Sequence, residues 1–275
     1  LIVPHMTASY YNQLAPFYRY LFQDWDRSVS WHAQVLDGVI RVHFGPGVRT
    51  ILDAACGIGT QSLGLAQLGY RVSGSDISVA AIEQARAEAA RRGLLLDFSV
   101  ADMRQLSHAH PGTFDVVIAC DNAIPHLLNE AEILLAFRQF YACSTPQGGC
   151  VLSVRDYASM QLGGRQFYPR LVHPTSQGRM VLFDIWEFDG DYYDFTTYIV
   201  EDRGGTGLET HAIRGGRYYC VTIATLERLL LAAGFARVVL IREGYHQPIL
   251  VGLKGETPSR SPAQADDQVL VYPGA

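Results

Sequence analysis

The chain has 275 residues, 48% hydrophobic and 18% charged, enough to bury a core; at about 100 to 200 residues per domain this means one domain with an insertion, or two. A formal charge of −5 and a pI near 6.0 give no general attraction to a phosphate backbone, so a small molecule rather than nucleic acid is the expected partner. No apolar run reaches the roughly 18 residues of a membrane span, and no basic start leads into an apolar signal core, so a cytoplasmic protein is expected.

Leu1 to His5 has no periodicity and is read as a leftover ahead of Met6. From Tyr10 to Phe44, Tyr11, Leu14, Phe17, Tyr18, Leu21 and Phe22 recur at helical spacing, and Trp25, Val29, Val35, Leu36, Val39 and Ile40 continue the rhythm. Two helices are expected there, either packed on an open edge of the domain or closing over a ligand as a lid.

After Gly45-Pro46-Gly47, strands and helices alternate. Thr50 to Ala54 reads as a strand, Gly57 and Gly59 as a tight turn, and Thr60 to Leu68 as a helix stopped by Gly69. Glycine serves where φ is positive or a ligand lies against main chain, so this turn is the natural place for a flat or extended ligand. The dinucleotide fingerprint needs a third glycine where Ser62 stands, which weakens a nicotinamide reading. Val72 to Ser75 is a second strand ended by Asp76, whose carboxylate can accept ribose hydroxyls. Ser78 caps an alanine-rich helix to Arg92, and Leu95 to Val100 leads into Asp102 and Met103. Asp102 is read either as an acceptor for an adenine amino group, with Met103 against the ring, or as a surface cap.

Phe114 to Ala119 is a buried strand running into Cys120-Asp121-Asn122-Ala123-Ile124-Pro125-His126. Asn122 can hydrogen-bond a nucleophile or carboxylate, and His126 is a base, a ligand contact or a loop residue. Glu130 to Cys143 is the next helix, Pro146 to Gly149 a turn, and Cys150 to Val154 a strand ended by Arg155. The stretch from Gly163 to Gly216 departs from the alternation: two β-patterned runs flank Asp189-Gly190, the mark of a hairpin. This antiparallel insertion covers the active site, supports a homo-oligomer, or does both. Thr225 to Ala233 (helix), Arg237 to Arg242 and Pro248 to Leu253 (strands) complete the pattern, and a loosely held polar tail is expected from Gly255. Such alternation means a mostly parallel sheet with helices on both faces.

The five cysteines form no C-x-x-C pair, and Lys254 is the only lysine. A disulfide framework, a zinc site, a Schiff-base enzyme and a phosphate-binding P-loop are therefore not expected, and no metal ligands are assigned.

Asp-x-x-x-Gly-x-Gly after the first strand resembles motif I of class I S-adenosylmethionine-dependent methyltransferases. ILDAACGIG, SGSDIS, VIACDNAIPHL, VLSVRDY and RYYCVTIATLERLLLAAGF stand in the order and approximate spacing of glycine and sarcosine N-methyltransferases, a resemblance covering roughly residues 24–235. It implies an α/β, Rossmann-like class I methyltransferase sheet of seven strands, mostly parallel with the last antiparallel, bearing an N-terminal helical cap and an antiparallel β insertion. The implied division is 1–44 for the leftover and cap, 45–254 for the methyltransferase domain with its insertion at about 163–216, and 255–275 for the tail. S-adenosylmethionine is the implied cofactor, held by Tyr11, Asp53, Ala54, Gly57, Gly59, Asp76, Ile77, Asp102, Met103, Cys120 and His126. Asn122, Arg155, Tyr218 and Tyr219 are the implied acceptor-side residues, with Arg155 holding a carboxylate. The chain departs from the family at Asp102-Met103, where Asn-Trp is common, and at Asp121, where glycine is common.

Overall fold

The computed structural model describes residues 3–255; the polar tail expected from Gly255 lies, after that residue, outside the described residues. Helix α1 (Val3–Leu14) breaks into a 3-10 segment, Ala15–Leu21, and α2 (Trp25–Phe44) follows. The expected two helices are thus three helical pieces. Pro16 explains the extra break, because its ring disfavours helical geometry at the residue before it and it has no N–H to donate. The first helix begins at Val3, inside the stretch set aside as a leftover.

The main sheet is built from β1 (Thr50–Asp53), β2 (Arg71–Asp76), β3 (Asp97–Val100), β4 (Phe114–Ala119), β5 (Ser144–Ser153), and the late strands β10 (Arg237–Ile241) and β11 (Ile249–Leu253). Between them lie α3 (Thr60–Gln67), α4 (Val79–Arg91), the short α5 (Leu106–Ala109), α6 (Glu130–Ala142) and α7 (Ile223–Ala232). The strand order is β10-β11-β5-β4-β1-β2-β3, and β11 is antiparallel to both its neighbours while the other pairings are parallel. This is the seven-stranded, mostly parallel sheet with a reversed last strand that the resemblance implies. β5 begins at Ser144 rather than Cys150; the turn expected at Pro146 to Gly149 is absorbed as an irregularity in its pairing with β4.

The insertion is a second, four-stranded antiparallel sheet in the order β6 (Arg165–Thr175), β7 (Gly178–Asp189), β8 (Tyr192–Asp202) and β9 (Leu208–Tyr219). The hairpin between β7 and β8 turns at Gly190, with φ +58°. The inward face of this sheet shares one apolar core with the main sheet, including Trp186, Tyr193, Phe195, Tyr218, Leu152 and Phe137. It also receives α1: Tyr10 donates its hydroxyl to Thr197 Oγ1 (2.7 Å), which donates to the buried Asp184 (2.7 Å), itself paired with Arg170. The helical cap and the insertion therefore meet over one end of the main sheet.

Two local choices position that end. Gly64 of α3 lies so close to α2 that a Cβ there would stand 2.3 Å from the Val29 carbonyl oxygen. At the other side of the turn, Gly57 and Gly59 have φ of +52° and +93°, which help carry the chain from β1 into α3 within the six residues 54–59.

Candidate active site

The carboxyl ends of β1, β2 and β4 open into a cavity of about 860 Å³, open mouth included. Nine of the eleven residues expected to hold a cofactor line it: Tyr11, Ala54, Gly57, Asp76, Ile77, Asp102, Met103, Cys120 and His126. Asp76 anchors it. Its Oδ2 accepts from the Gly57 amide (2.9 Å) and its Oδ1 from the Ser78 amide (2.8 Å), leaving acceptor capacity for a ligand's hydroxyl. Burial raises its pKa above the ordinary carboxylate value, and the amides of Ser78, Gly57 and Ile77 pull it back. A buried acid with spare acceptors, a backbone turn free of side chains at Gly57, and the apolar Ile77, Met103 and Leu127 beside them fit a nucleoside with two ribose hydroxyls.

Asp53 and Gly59 do not line this cavity. Asp53 points into the core, 1% exposed, and accepts from Ser62 Oγ at 2.7 Å. Burial pushes its carboxyl up to about 7. Gly59 is the left-handed residue from which α3 starts, and its open side faces Leu63 and Ala85. Asp102 reaches the cavity wall, but its carboxylate is already held by the backbone amide and guanidinium of Arg104, which also pairs with Glu132. An adenine amino group would have to share it.

His126 is a positioned contact rather than a free base. Its Nε2 lies 2.7 Å from the Tyr11 hydroxyl and its Nδ1 3.0 Å from the Arg217 carbonyl. The carbonyl requires Nδ1 to carry the proton, so Nε2 accepts from Tyr11. Burial lowers its pKa to about 4 against the help of that carbonyl, and the imidazole is neutral at pH 7.

A second, larger cavity of about 1950 Å³, mouth included, adjoins the first; Tyr11, Tyr18 and Asp121 line both. Its walls come from the helical cap, from the insertion (Tyr168, Arg170, Trp186, Phe195, Tyr218) and from the end of β5 (Arg155, Asp156). The insertion thus covers the site, one of the two roles open to it from sequence. Arg155 lies 5.1 Å over the Trp186 ring and 5.7 Å over Tyr218, and donates to the Tyr193 hydroxyl at 2.7 Å. No carboxylate pairs with it among the described residues, whereas Arg170 and Arg242 in the same cavity are matched by Asp184 and Asp156.

Two expected acceptor-side residues do not face either cavity. Asn122 is 1% exposed, donates to the Tyr157 hydroxyl (2.7 Å) and accepts from the Arg155 amide (3.0 Å). Its effect on the site passes through Arg155. Tyr219 is the neighbour of Tyr218 on β9 and therefore points to the opposite face, against Tyr192. Tyr218 turns inward, stacked on Phe195 with ring centroids 4.8 Å apart.

Sequence reading missed Tyr18, Gln61, Arg170, Trp186, His246 and Arg242. Tyr18 sits in the aromatic run of the cap and Gln61 directly follows the glycine turn, so those two had a local signal. The others are brought in by the insertion sheet and the β10–β11 loop, where no local pattern marks them. Asp121 and Asn122 have φ of +55° and +66°, unusual for residues with a side chain. The bend turns the Asp121 carboxylate into the junction of the cavities. Burial raises its pKa, but His246, His32 and Gln61 outweigh burial and hold it well below the usual carboxylate range.

Comparison with known proteins agrees with this architecture. Residues 51–148 match a family model described as a methyltransferase domain. A glycine/sarcosine N-methyltransferase of Parasynechococcus marenigrum (strain WH8102) is 34% identical over 143 residues, 51% of each chain. The chain spans about half the length of the curated relatives it matches. Among solved structures, the amino pentose methyltransferase CalS10 of Micromonospora echinaspora, with S-adenosylmethionine bound, superposes with a TM-score of 0.69 at 20% identity, covering 82% of this chain and 92% of that one. The sugar N-methyltransferase KedS8 of Streptoalloteichus sp ATCC 53650 gives 0.69 at 21%, covering 88% and 92%. No described helix is long and apolar enough to cross a membrane.

Proposed function

We propose that this chain, which carries a class I S-adenosylmethionine-dependent methyltransferase domain, methylates the amine nitrogen of a small acceptor bearing a carboxylate. Bound in the first cavity, S-adenosylmethionine supplies a methyl group already activated by its sulfonium charge. Asp76 would hold the ribose, the turn at Gly57 would lie against the methionine portion, and Ile77 and Met103 would flank the base.

The observation that carries the acceptor reading is Arg155. A guanidinium stays charged at any ordinary pH, and burying one without a partner is costly. Stacked over Trp186 and Tyr218 on the wall of the larger cavity, it offers a planar fork to a bidentate anion. A carboxylate held there leaves an amine to be aligned with the donor. Alignment of this kind is worth about 7 to 11 kcal/mol in favourable intramolecular systems. No strong base touches this space apart from the groups around Asp121, so the residues supply mainly orientation and exclusion of water. The glycine/sarcosine relatives support an amino-acid acceptor.

A second reading is favoured by the size of the cavity. At about 910 Å³, open solvent left out, it exceeds what glycine needs, and its aromatic walls suit an amine on a larger scaffold; an amino pentose methyltransferase and a sugar N-methyltransferase share the fold.

The test is direct. Calorimetric titration with S-adenosylmethionine, S-adenosylhomocysteine and NADH comes first, followed by S-adenosylhomocysteine formation with glycine, sarcosine, dimethylglycine, larger amino acids and amino sugars. Binding of the sulfur pair without NADH, and turnover on an amine that also carries an anion, supports the proposal. Turnover confined to hydroxyl or carbon acceptors would replace it, and failure to bind either sulfur compound would remove its basis.

A further inference from the structure

Three potential ligand atoms from separate parts of the chain converge at the junction of the two cavities. They are His32 Nδ1 from α2, Asp121 Oδ1 from the bend after β4, and His246 Nε2 from the loop between β10 and β11. All three lie within 4.8 Å of one another, with Asp121 Oδ1 3.1 Å from His246 and 3.9 Å from His32. Oδ1 is buried yet has no aligned hydrogen-bond donor, although His246 Nε2 stands so close.

We propose that His32, Asp121 and His246 form a binding site for a divalent cation of the zinc class, with a coordination position left open beside the acceptor cavity. Donors bound tetrahedrally at about 2.0 to 2.2 Å from such an ion stand roughly 3.3 Å apart, so the Asp121–His246 spacing of 3.1 Å fits, while His32 has to close in on both partners from 3.9 Å of Asp121 and from within 4.8 Å of His246. Two imidazole nitrogens and one carboxylate suit a late first-row metal rather than magnesium or calcium, which take oxygen ligands. Three protein ligands with one position free is also the pattern of reactive rather than purely structural zinc sites.

The surroundings supply the support such a site needs. Gln61 Nε2 donates to Asp121 Oδ2 at 2.8 Å, which orients the carboxylate and leaves Oδ1 for the ion. The same amide lies 3.0 Å from His32 Nδ1, and the Tyr245 hydroxyl 2.7 Å from it; a bound ion takes the place of those two contacts on the nitrogen. Asp121 lines both cavities and His246 lines the larger. An acceptor with an amine beside a hydroxyl or carboxylate could complete the coordination. The site goes beyond the methyl-transfer reading and does not depend on it.

The experiment uses the full chain, stripped with a chelator, and titrates Co²⁺ by visible absorption and Zn²⁺ by competition with a chromophoric chelator, with Mg²⁺ as a parallel arm. The expected result is one equivalent of Co²⁺ giving intense low-symmetry bands, a rise in melting temperature with Zn²⁺, and no matching effect of Mg²⁺. Asp121→Asn and His246→Gln are each expected to weaken binding by at least about tenfold. His246 is 39% exposed at its side chain, so its variant retains the fold even where Asp121→Asn does not. Wild-type protein that takes up no Co²⁺, or a folded His246→Gln that binds as wild type does, would overturn the site. Binding of S-adenosylhomocysteine by the same stripped protein reports separately on the methyltransferase reading.

Discussion

The Gly57 amide donates to Asp76 Oδ2 at 2.9 Å, so the glycine turn after β1 and the acid that ends β2 form one unit. Asp76→Asn would turn a donor toward one of the two amides that now meet a carboxylate oxygen, Gly57 or Ser78. Loss of a charge-assisted hydrogen bond of this kind costs about 1.5 to 3 kcal/mol, so S-adenosylhomocysteine affinity is expected to fall roughly 10- to 100-fold in a calorimetric titration. Unchanged affinity would show that the pocket does not use this acid.

The link between cap and insertion runs through Asp184, which is fully buried between Arg170 and Thr197. Removing one member of a buried ion pair leaves the other uncompensated, at a cost of about 3 to 5 kcal/mol. Asp184→Ala is therefore expected to destabilise strongly in denaturant unfolding. Tyr10→Phe, which loses only the outer hydroxyl of the chain, is expected to cost about 1 kcal/mol.

Asn122 holds the loop rather than the substrate. Its side chain bridges the Tyr157 hydroxyl and the Arg155 amide from a backbone φ of +66°. Asn122→Ala loses both buried hydrogen bonds and places alanine in a left-handed conformation, together about 2 to 4 kcal/mol. Asn122→Gly, relieved of the second penalty, should be less destabilised. Equal stability of the two variants would contradict this account.

Asp53 makes the fold sensitive to pH. Its carboxyl is pushed up to about 7 by burial, so between the ordinary carboxylate value and 7 the folded state keeps a proton that the unfolded state has lost. Its contribution is complete near pH 4 and is lost as pH rises through 7, on the order of 4 kcal/mol at 1.36 kcal/mol per unit. His126, lowered to about 4, works in the opposite sense and loses its contribution as pH falls from 6.5 to 4. The stability gap between wild type and Asp53→Asn, measured by urea unfolding from pH 4 to 8, isolates the first effect and should move against wild type as pH rises. A gap independent of pH would mean that Asp53 is ionised in the fold.

Much of the scaffold was legible because its signals are local. The β/α alternation, the turn at Gly57 and Gly59, the Ser78 cap and the hairpin at Gly190 each rest on a few adjacent residues. The places of Asp76 and Arg155, and most of the wall of the first cavity, followed, since strand ends are where such cavities open. What was hidden depends on pairing at a distance. Tyr218 and Tyr219 differ only in parity, and which one faces inward is set by the pairing of β8 with β9, whose register shifts between Phe195 and Thr197. Asp53 sits where a ligand contact is expected, but Ser62 captures it from one turn into α3. His32 and His246 stand 214 residues apart in sequence and meet only through the β10–β11 loop.

The most direct test of the account compares wild type with Arg155→Lys on amino acids and on the matching amines without a carboxylate, following S-adenosylhomocysteine formation. Lysine keeps the charge but not the two-pronged geometry. The account predicts that wild type favours the carboxylate-bearing acceptors by about 10- to 100-fold in kcat/KM, the equivalent of 1.5 to 3 kcal/mol, and that Arg155→Lys loses most of this preference while binding S-adenosylhomocysteine as before. Full turnover of amino acids by Arg155→Lys, or a wild-type preference for the amines, would contradict it.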